Sequence, residues 1–105
     1  GQWARAKGFD SFCPVGPVVV SALSLEDAAV LCRVNGAERQ RGLVRDMIFS
    51  VPQLISYISH IFTLEPGDLI VTGTPEGVAP LAPGDRVEVE IPGVGTLSNP
   101  VHQGD

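Results

Sequence analysis

The stretch AAVLCRVNGAERQRG, residues 28–42, carries the strongest fold signal in the chain. The apolar residues of its first half alternate and so share one face of a strand: Val30, Cys32 and Val34. Asn35-Gly36 follows, and this pair suits a two-residue type I′ turn because both positions require a positive φ angle. The stretch therefore predicts a β-hairpin.

Downstream of the hairpin, SVPQLISYISHIF (50–62) predicts one amphipathic helix. Its apolar residues recur at spacings of three and four, at positions 51, 54, 55, 58, 61 and 62. Ser50 suits the N-cap position, and Gln53, three residues later, completes a capping box. Pro52 lies in the first turn, where a missing N–H breaks no helical hydrogen bond.

Further strands are predicted on both sides of this central part. VGPVVVSAL (15–23) has a β-branched run typical of a buried strand. LEPGDLIV (64–71) and LAPGDRVEV (81–89) share Leu-x-Pro-Gly-Asp, which predicts a type II turn followed by a strand. The first of these strands is expected to be buried on both faces, and the second to have one wet face. GVGTLSNPV (93–101) would form a last short strand.

Five or six short strands and one helix indicate a strand-rich α+β fold. The expected arrangement is a curled sheet or barrel-like roll with the helix packed outside. At 105 residues, the chain is long enough for one small domain.

The net charge of −5 argues against nucleic acid or an anionic membrane surface as a partner, because both attract basic patches. No apolar run approaches the roughly 18 residues of a membrane span. Two cysteines, Cys13 and Cys32, do not make a disulfide framework. We therefore expect a reducing cytoplasm, with both cysteines acting as small buried fillers.

Few side chains suggest chemistry by themselves. The sequence has no Gly-rich phosphate loop, no Cys/His metal spacing and no nucleophile elbow. His60 and His102 are expected to be exposed surface residues, which leaves a serine or cysteine nucleophile without a base. Glu88 and Glu90 are expected to form a solvated strand face.

Two segments leave a choice between structure and function. In LIVTGTPEGV (69–78), Thr74 and nearby N–H groups either hold a carboxylate or developing oxyanion, or simply close a turn. In ARAKGFDSF (4–12), Lys7 stands among aromatic residues, where a cation either reaches out to water or pairs with an anionic ligand.

Several ordered motifs resemble the fumarylacetoacetate hydrolase family. They are WxxAKGFDxFCPxGP (3–17), VNG (34–36) with Gln40, DMIFSVP (46–52) and TLEPGDLIVTGTPEGV (63–78). The resemblance runs from Gln2 to Val101. Within the family it points to the bacterial 2-hydroxyhepta-2,4-diene-1,7-dioate isomerase or acylpyruvate hydrolase branch.

The resemblance implies a mixed β-roll or β-sandwich of the family's C-terminal type, usually a homodimer. It also implies chemistry on small 2-oxo or 2-hydroxy-dienoic acids, as in aromatic catabolism: C–C hydrolysis, decarboxylation or tautomerisation. Mg²⁺ or Mn²⁺ would chelate the 2-oxo-carboxylate as a Lewis acid. Lys7 matches the family's active-site lysine, a catalytic and substrate-binding residue. Gly73 and Thr74 match the pair that binds the substrate carboxylate.

The resemblance also has a gap. The family's metal ligands and its water-activating His–Glu pair match nothing in residues 1–105, and we expect them upstream of Gly1. Asp10 and Asp46 are acidic but do not match those ligands, and Glu76 has no assigned role. We therefore expect a single segment that supplies half of a site and is inactive alone. The alternative is a non-catalytic β-roll dimerisation module with relic site residues.

Overall fold

Four strands and one α-helix make up the part of the chain that the structure, a computed structural model, describes: Ser11 and residues 13–104. In chain order they are β1 (Ala29–Val34), β2 (Ala37–Leu43), α1 (Val51–Ser59), β3 (Arg86–Ile91) and β4 (Gly95–Pro100). All pairings are antiparallel, and the sheet order is β2-β1-β3-β4. The strand-rich α+β class is confirmed.

The predicted hairpin forms β1 and β2. Asn35 and Gly36 both have positive φ angles, 52° and 83°, as the type I′ turn requires. The register shifts after the first two pairs, because Arg33 faces Glu38 whereas Cys32 faces Gln40. Arg39 is therefore an extra residue on β2, which makes a β-bulge there.

The most buried side chains of β1 are Leu31 and Val34, which are 9% and 4% exposed. They are three positions apart and so point to opposite faces of the sheet. Both faces of β1 are therefore covered in part. Burial is not confined to the face that carries Val30, Cys32 and Val34. On β3, the Glu88 and Glu90 pair is half-buried rather than solvated, because Arg33 Nη1 lies 2.9 Å from Glu90 Oε1.

The hairpin turn is fastened to the turn that precedes β3. The Asn35 amide donates to Asp85 Oδ1 at 2.8 Å, and the Arg86 N–H donates to Asn35 Oδ1 at 2.9 Å. Asp85 Oδ2 accepts from the Ala82 N–H at 2.9 Å. Asn35 therefore links the hairpin turn to the turn before β3 through side-chain hydrogen bonds.

The same chemistry recurs in the first Pro-Gly-Asp turn, where Asp68 Oδ2 accepts from the Glu65 N–H at 2.8 Å. Gly67 and Gly84 have φ angles of 93° and 91°, as type II turns require at that position. The two predicted turns are confirmed.

Hydrogen bonds to its carboxylate, first from the Ala82 N–H and then from the Asn35 amide, lower the pKa of Asp85 below its usual value. A lowered folded-state pKa favours folding above the unfolded-state pKa, and this contribution is lost as the pH falls through the folded-state value.

In Asn35→Gly, which keeps the positive φ and removes the amide, we expect the pKa of Asp85 to rise. An NMR titration of the Asp85 carboxyl carbon measures it, and an unchanged pKa would show that Asn35 does not contribute.

Helix α1 begins as the sequence predicts. The Gln53 N–H donates to Ser50 Oγ at 3.3 Å, and the Ser50 N–H donates to Gln53 Oε1 at 2.8 Å, which completes the capping box. The helix ends at Ser59 rather than at residue 62, because the next residues close turns on Ile58 and Tyr57 instead of continuing the helix. No residue of α1 is fully buried within the described part, although Val51, Leu54 and Ile58 of its apolar stripe are half-buried.

Two predicted strands do not form within the described part. Residues 15–23 and 69–71 are not in the sheet, and Val19 and Val71 are 92% and 79% exposed. Their β-branched residues suit an extended chain, but a strand also has to pair with a neighbour, and neither segment pairs with β2 or β4, the edge strands of the described sheet. The described sheet therefore has four strands instead of five or six.

The prediction of buried cysteines is wrong for Cys13, which is exposed, while Cys32 is half-buried. Cys13 lies at the start of the unpaired segment, where few neighbours cover it. Helix α1, with nine residues, is too short to span a bilayer, and no longer apolar helix occurs among the described residues.

Candidate functional site

Residues 72–76, the loop that follows residues 69–71, line a cleft of about 730 Å³. This loop forms one wall, and the end of β2 with the segment that leads into α1 forms the opposite wall. Met47, Phe49 and Leu54 make part of that second wall apolar. The cleft therefore combines a polar loop with a surface that suits a short carbon chain.

Gln40, on β2, holds the loop in place. Its Nε2 donates to Thr74 Oγ1 at 2.8 Å and to the Pro75 carbonyl oxygen at 2.8 Å. A longer contact of 3.4 Å reaches the carbonyl oxygen of Glu76. The Gln40 side chain thus contacts three consecutive residues of the loop. Gln40 itself lies 34 positions before Thr74 in the sequence.

Two glycines allow the loop to approach β2 closely. A Cβ on Gly42 would lie 3.2 Å from Pro75 Cβ, so the proline packs directly over the strand backbone. A Cβ on Gly77 would overlap the carbonyl oxygen of Arg39, the bulge residue of β2. Gly77 also has a φ angle of 102°, which other residues rarely adopt.

Gly73 and Thr74 both line the cleft, as expected for a binding loop. Gly73 has a φ angle of 94°, and no atom lies within 4 Å of where its Cβ would be, so there is open space beside the backbone. Among the described residues, no acceptor bonds the backbone N–H of Gly73 or Thr74. These N–H groups can bind an anion without breaking a bond to the described protein.

The other sequence-predicted residues do not join this loop. Lys7 and Asp10 lie outside the described residues, so the role of Lys7 stays a prediction. His60 and His102 are exposed as expected. The ring of His60, at the end of α1, contacts the carbonyl oxygen of Ser56 in the last turn of that helix. Neither histidine lines the cleft.

Arg41 is the one cation among the described residues that line the cleft. Its Nε lies 3.0 Å from Glu38 Oε1, with a second hydrogen bond from Nη2. This hydrogen bond raises the pKa of Arg41 and lowers the pKa of Glu38. The exposed pair keeps both charges, and solvent screens much of its effect on the cleft.

A divalent ion does not fit the described residues. Among them, no group of three or more His, Cys, Asp or Glu side chains is placed to hold a metal ion. Asp46 and Glu76 line the cleft but do not complete the several oxygen ligands that Mg²⁺ or Mn²⁺ needs. The described part of the chain thus has a loop with unpaired N–H donors beside the cleft, and no group of residues placed to hold a metal ion.

The sequence reasoning missed the contact role of Gln40. The residue belongs to one of the motifs that carry the family resemblance, but a single glutamine on a strand has no local signal of a long-range contact. Asp46, Met47 and Phe49 also belong to such a motif, and the structure places that motif on the wall opposite Thr74.

Comparison with known proteins agrees with the resemblance. Residues 1–102 match the family model described as fumarylacetoacetate (FAA) hydrolase C-terminal. A mitochondrial oxaloacetate tautomerase of Arabidopsis thaliana is 47% identical over 94 residues, which are 88% of this chain and 42% of that protein. The chain spans about two fifths of the length of the first curated relatives it matches.

Solved structures give the same result. A 5-carboxymethyl-2-hydroxymuconate delta-isomerase from Mycobacterium smegmatis has a TM-score of 0.95 and 46% identity, covering 98% of this chain and 41% of its own. A maleylpyruvate hydrolase from Sphingobium, solved with manganese(II) and pyruvate, has a TM-score of 0.87 and 39% identity, covering 92% of this chain and 38% of its own. The similar proteins thus include an isomerase, a hydrolase and a tautomerase.

Proposed function

Because the chain belongs to the fumarylacetoacetate hydrolase family, we propose that it forms the carboxylate-binding part of an enzyme for small 2-oxo or 2-hydroxy-dienoic acids. The reaction would be C–C hydrolysis, decarboxylation or keto–enol tautomerisation. The similar proteins support this range, because their names cover an isomerase, a hydrolase and a tautomerase. All three reactions pass through an enol or enolate next to a carboxylate, so one binding loop can serve each of them.

The observation that carries the proposal is the Gly73-Thr74 loop on the cleft. The hydroxyl of Thr74 and the N–H groups of Gly73 and Thr74 would donate to the substrate carboxylate. The carbon skeleton would then lie along the apolar wall formed by Met47 and Phe49.

Metal dependence is also part of the proposal, with Mg²⁺ or Mn²⁺ as the ion. The Sphingobium hydrolase, solved with manganese(II), supports it. Because the described residues lack a ligand set, the ligands would have to come from elsewhere in the intact protein. The binding role proposed for Thr74 does not depend on the ion.

We also propose that the intact protein is a cytoplasmic homodimer. A dimer would cover part of the apolar surface that the described part exposes, for example Ile48 at 93%. The same surface favours the alternative of a non-catalytic assembly module. Turnover of oxaloacetate or an acylpyruvate by the intact protein distinguishes the two, because a module that only assembles would turn over neither.

For Lys7→Ala in the intact protein, we expect turnover of such substrates to fall by about 100-fold or more, since removing one group that stabilises a developing anion has effects of that size. Lys7→Arg keeps the charge and should retain more activity than Lys7→Ala. Steady-state kinetics measure both variants. Wild-type turnover in Lys7→Ala would remove Lys7 from the proposed mechanism.

A further inference from the structure

The amide of Gln40 has one allowed orientation. Its Nε2 lies 2.8 Å from the carbonyl oxygen of Pro75, and a carbonyl oxygen can only accept a hydrogen bond. The atom at that position must therefore be the NH₂ group rather than the amide oxygen, which would face another acceptor. This assignment follows from the backbone partner and needs no hydrogen position.

The orientation of Gln40 determines what Thr74 can do. The same NH₂ group lies 2.8 Å from Thr74 Oγ1, nearer than its third acceptor, the carbonyl oxygen of Glu76 at 3.4 Å. An NH₂ group only donates, so the threonine hydroxyl is the acceptor in this contact. Its own hydrogen must be directed elsewhere, and no described residue accepts a hydrogen bond from it.

We propose that Gln40 is a positioning residue that biases the Thr74 hydroxyl toward donating a hydrogen bond into the cleft. A free hydroxyl rotates to serve either a donor or an acceptor. Gln40 takes one of the two acceptor lone pairs of the Thr74 hydroxyl, so the hydroxyl keeps its hydrogen and one lone pair for a ligand. This shifts its preference toward a ligand group that only accepts, such as a carboxylate. The loop would then select a carboxylate over a neutral amide of the same shape. This inference rests on the proposed function of the loop.

Specific support comes from how the loop is anchored. A second donor from β2, Arg39 Nη1, lies 3.3 Å from the Pro80 carbonyl oxygen, six residues beyond Thr74. The ring carbons of Pro75 also pack over Gly42. The loop therefore has other attachments to β2, whereas Gln40 is the described residue that bonds the Thr74 hydroxyl.

The test compares pyruvate with pyruvamide as competitive inhibitors or ligands of the intact protein. Gln40→Met has a similar shape and cannot donate. We expect it to weaken pyruvate binding by about 2- to 10-fold, the usual effect of a lost neutral hydrogen bond, and pyruvamide binding by less. In a Thr74→Val background, Gln40→Met should have little further effect on pyruvate, because both changes remove the same interaction.

Arg39→Met is the matched control, since it removes the other side-chain donor to this loop without touching Thr74. It should leave the preference for pyruvate over pyruvamide unchanged. Equal weakening of both ligands by Gln40→Met would mean that Gln40 only holds the loop. Effects of Gln40→Met and Thr74→Val that multiply in the double variant would also overturn the inference. If Thr74→Val alone has no effect, the proposed function fails as well.

Discussion

Thr74→Val in the intact protein is expected to lower kcat/KM for 2-oxo acid substrates by about 10- to 100-fold. Valine keeps the shape of threonine and replaces the hydroxyl with a methyl group, so the loop retains its volume and loses one donor. A hydrogen bond to a charged group contributes about 1.5–3 kcal/mol, so its loss lowers kcat/KM by roughly 10- to 100-fold. The substrate carboxylate would keep only the backbone N–H donors of Gly73 and Thr74.

Steady-state kinetics with oxaloacetate or an acylpyruvate measure the loss. Thr96 lies at an exposed position of β4, away from the cleft. Thr96→Val makes the same chemical change there and should behave as the wild type. Thr74→Ser should retain most of the activity, because it keeps the hydroxyl. A Thr74→Val enzyme with wild-type kinetics would mean that the loop does not bind the carboxylate.

Gly77→Ala is expected to be the most disruptive single substitution in the loop. The φ angle of 102° would strain any residue with a Cβ, by about 1–3 kcal/mol. The new methyl group would also overlap the backbone carbonyl of Arg39, which the bulge of β2 fixes in place. The loop would have to move away from β2, and Thr74 would move with it. We expect a lower melting temperature and a loss of activity together.

Gly67→Ala separates these two effects. Gly67 has a similar φ angle, 93°, but no atom lies within 4 Å of where its Cβ would be. Thermal unfolding of the intact protein should therefore show a smaller shift for Gly67→Ala, with activity retained. If the two variants lose the same stability and activity, then the close approach of Gly77 to Arg39 has no role.

Local signals predicted the features that depend on a few neighbouring residues. Asn35-Gly36 predicted the hairpin because the turn itself requires positive φ angles, and Ser50 with Gln53 predicted the helix start because the capping box closes within one turn. The Pro-Gly-Asp turns before residues 69 and 86 formed for the same reason. In each case the interacting groups lie within three residues along the chain.

Long-range features could not be predicted in this way. Val18–Val20 and residues 69–71 have the composition of strands, but composition does not show whether a pairing edge is available. The exposed Cys13 is a second case, because its burial depends on what packs over an unpaired segment. The contact between Gln40 and Thr74 joins residues 34 positions apart. Only the family resemblance pointed to both of them.

The pairing of β1 with β3 has a consequence for how such a protein can diversify. It places Val34 opposite Val87. Residues 44–85 therefore form one long connection between β2 and β3, whose positions in the sheet are fixed. Closing a longer connection costs little, about 0.6 kcal/mol for each doubling of a flexible segment. Insertions or deletions there can reshape the cleft while the sheet stays intact. Natural variants should therefore differ in length mostly within 44–85, and variation concentrated in the strands would argue against this.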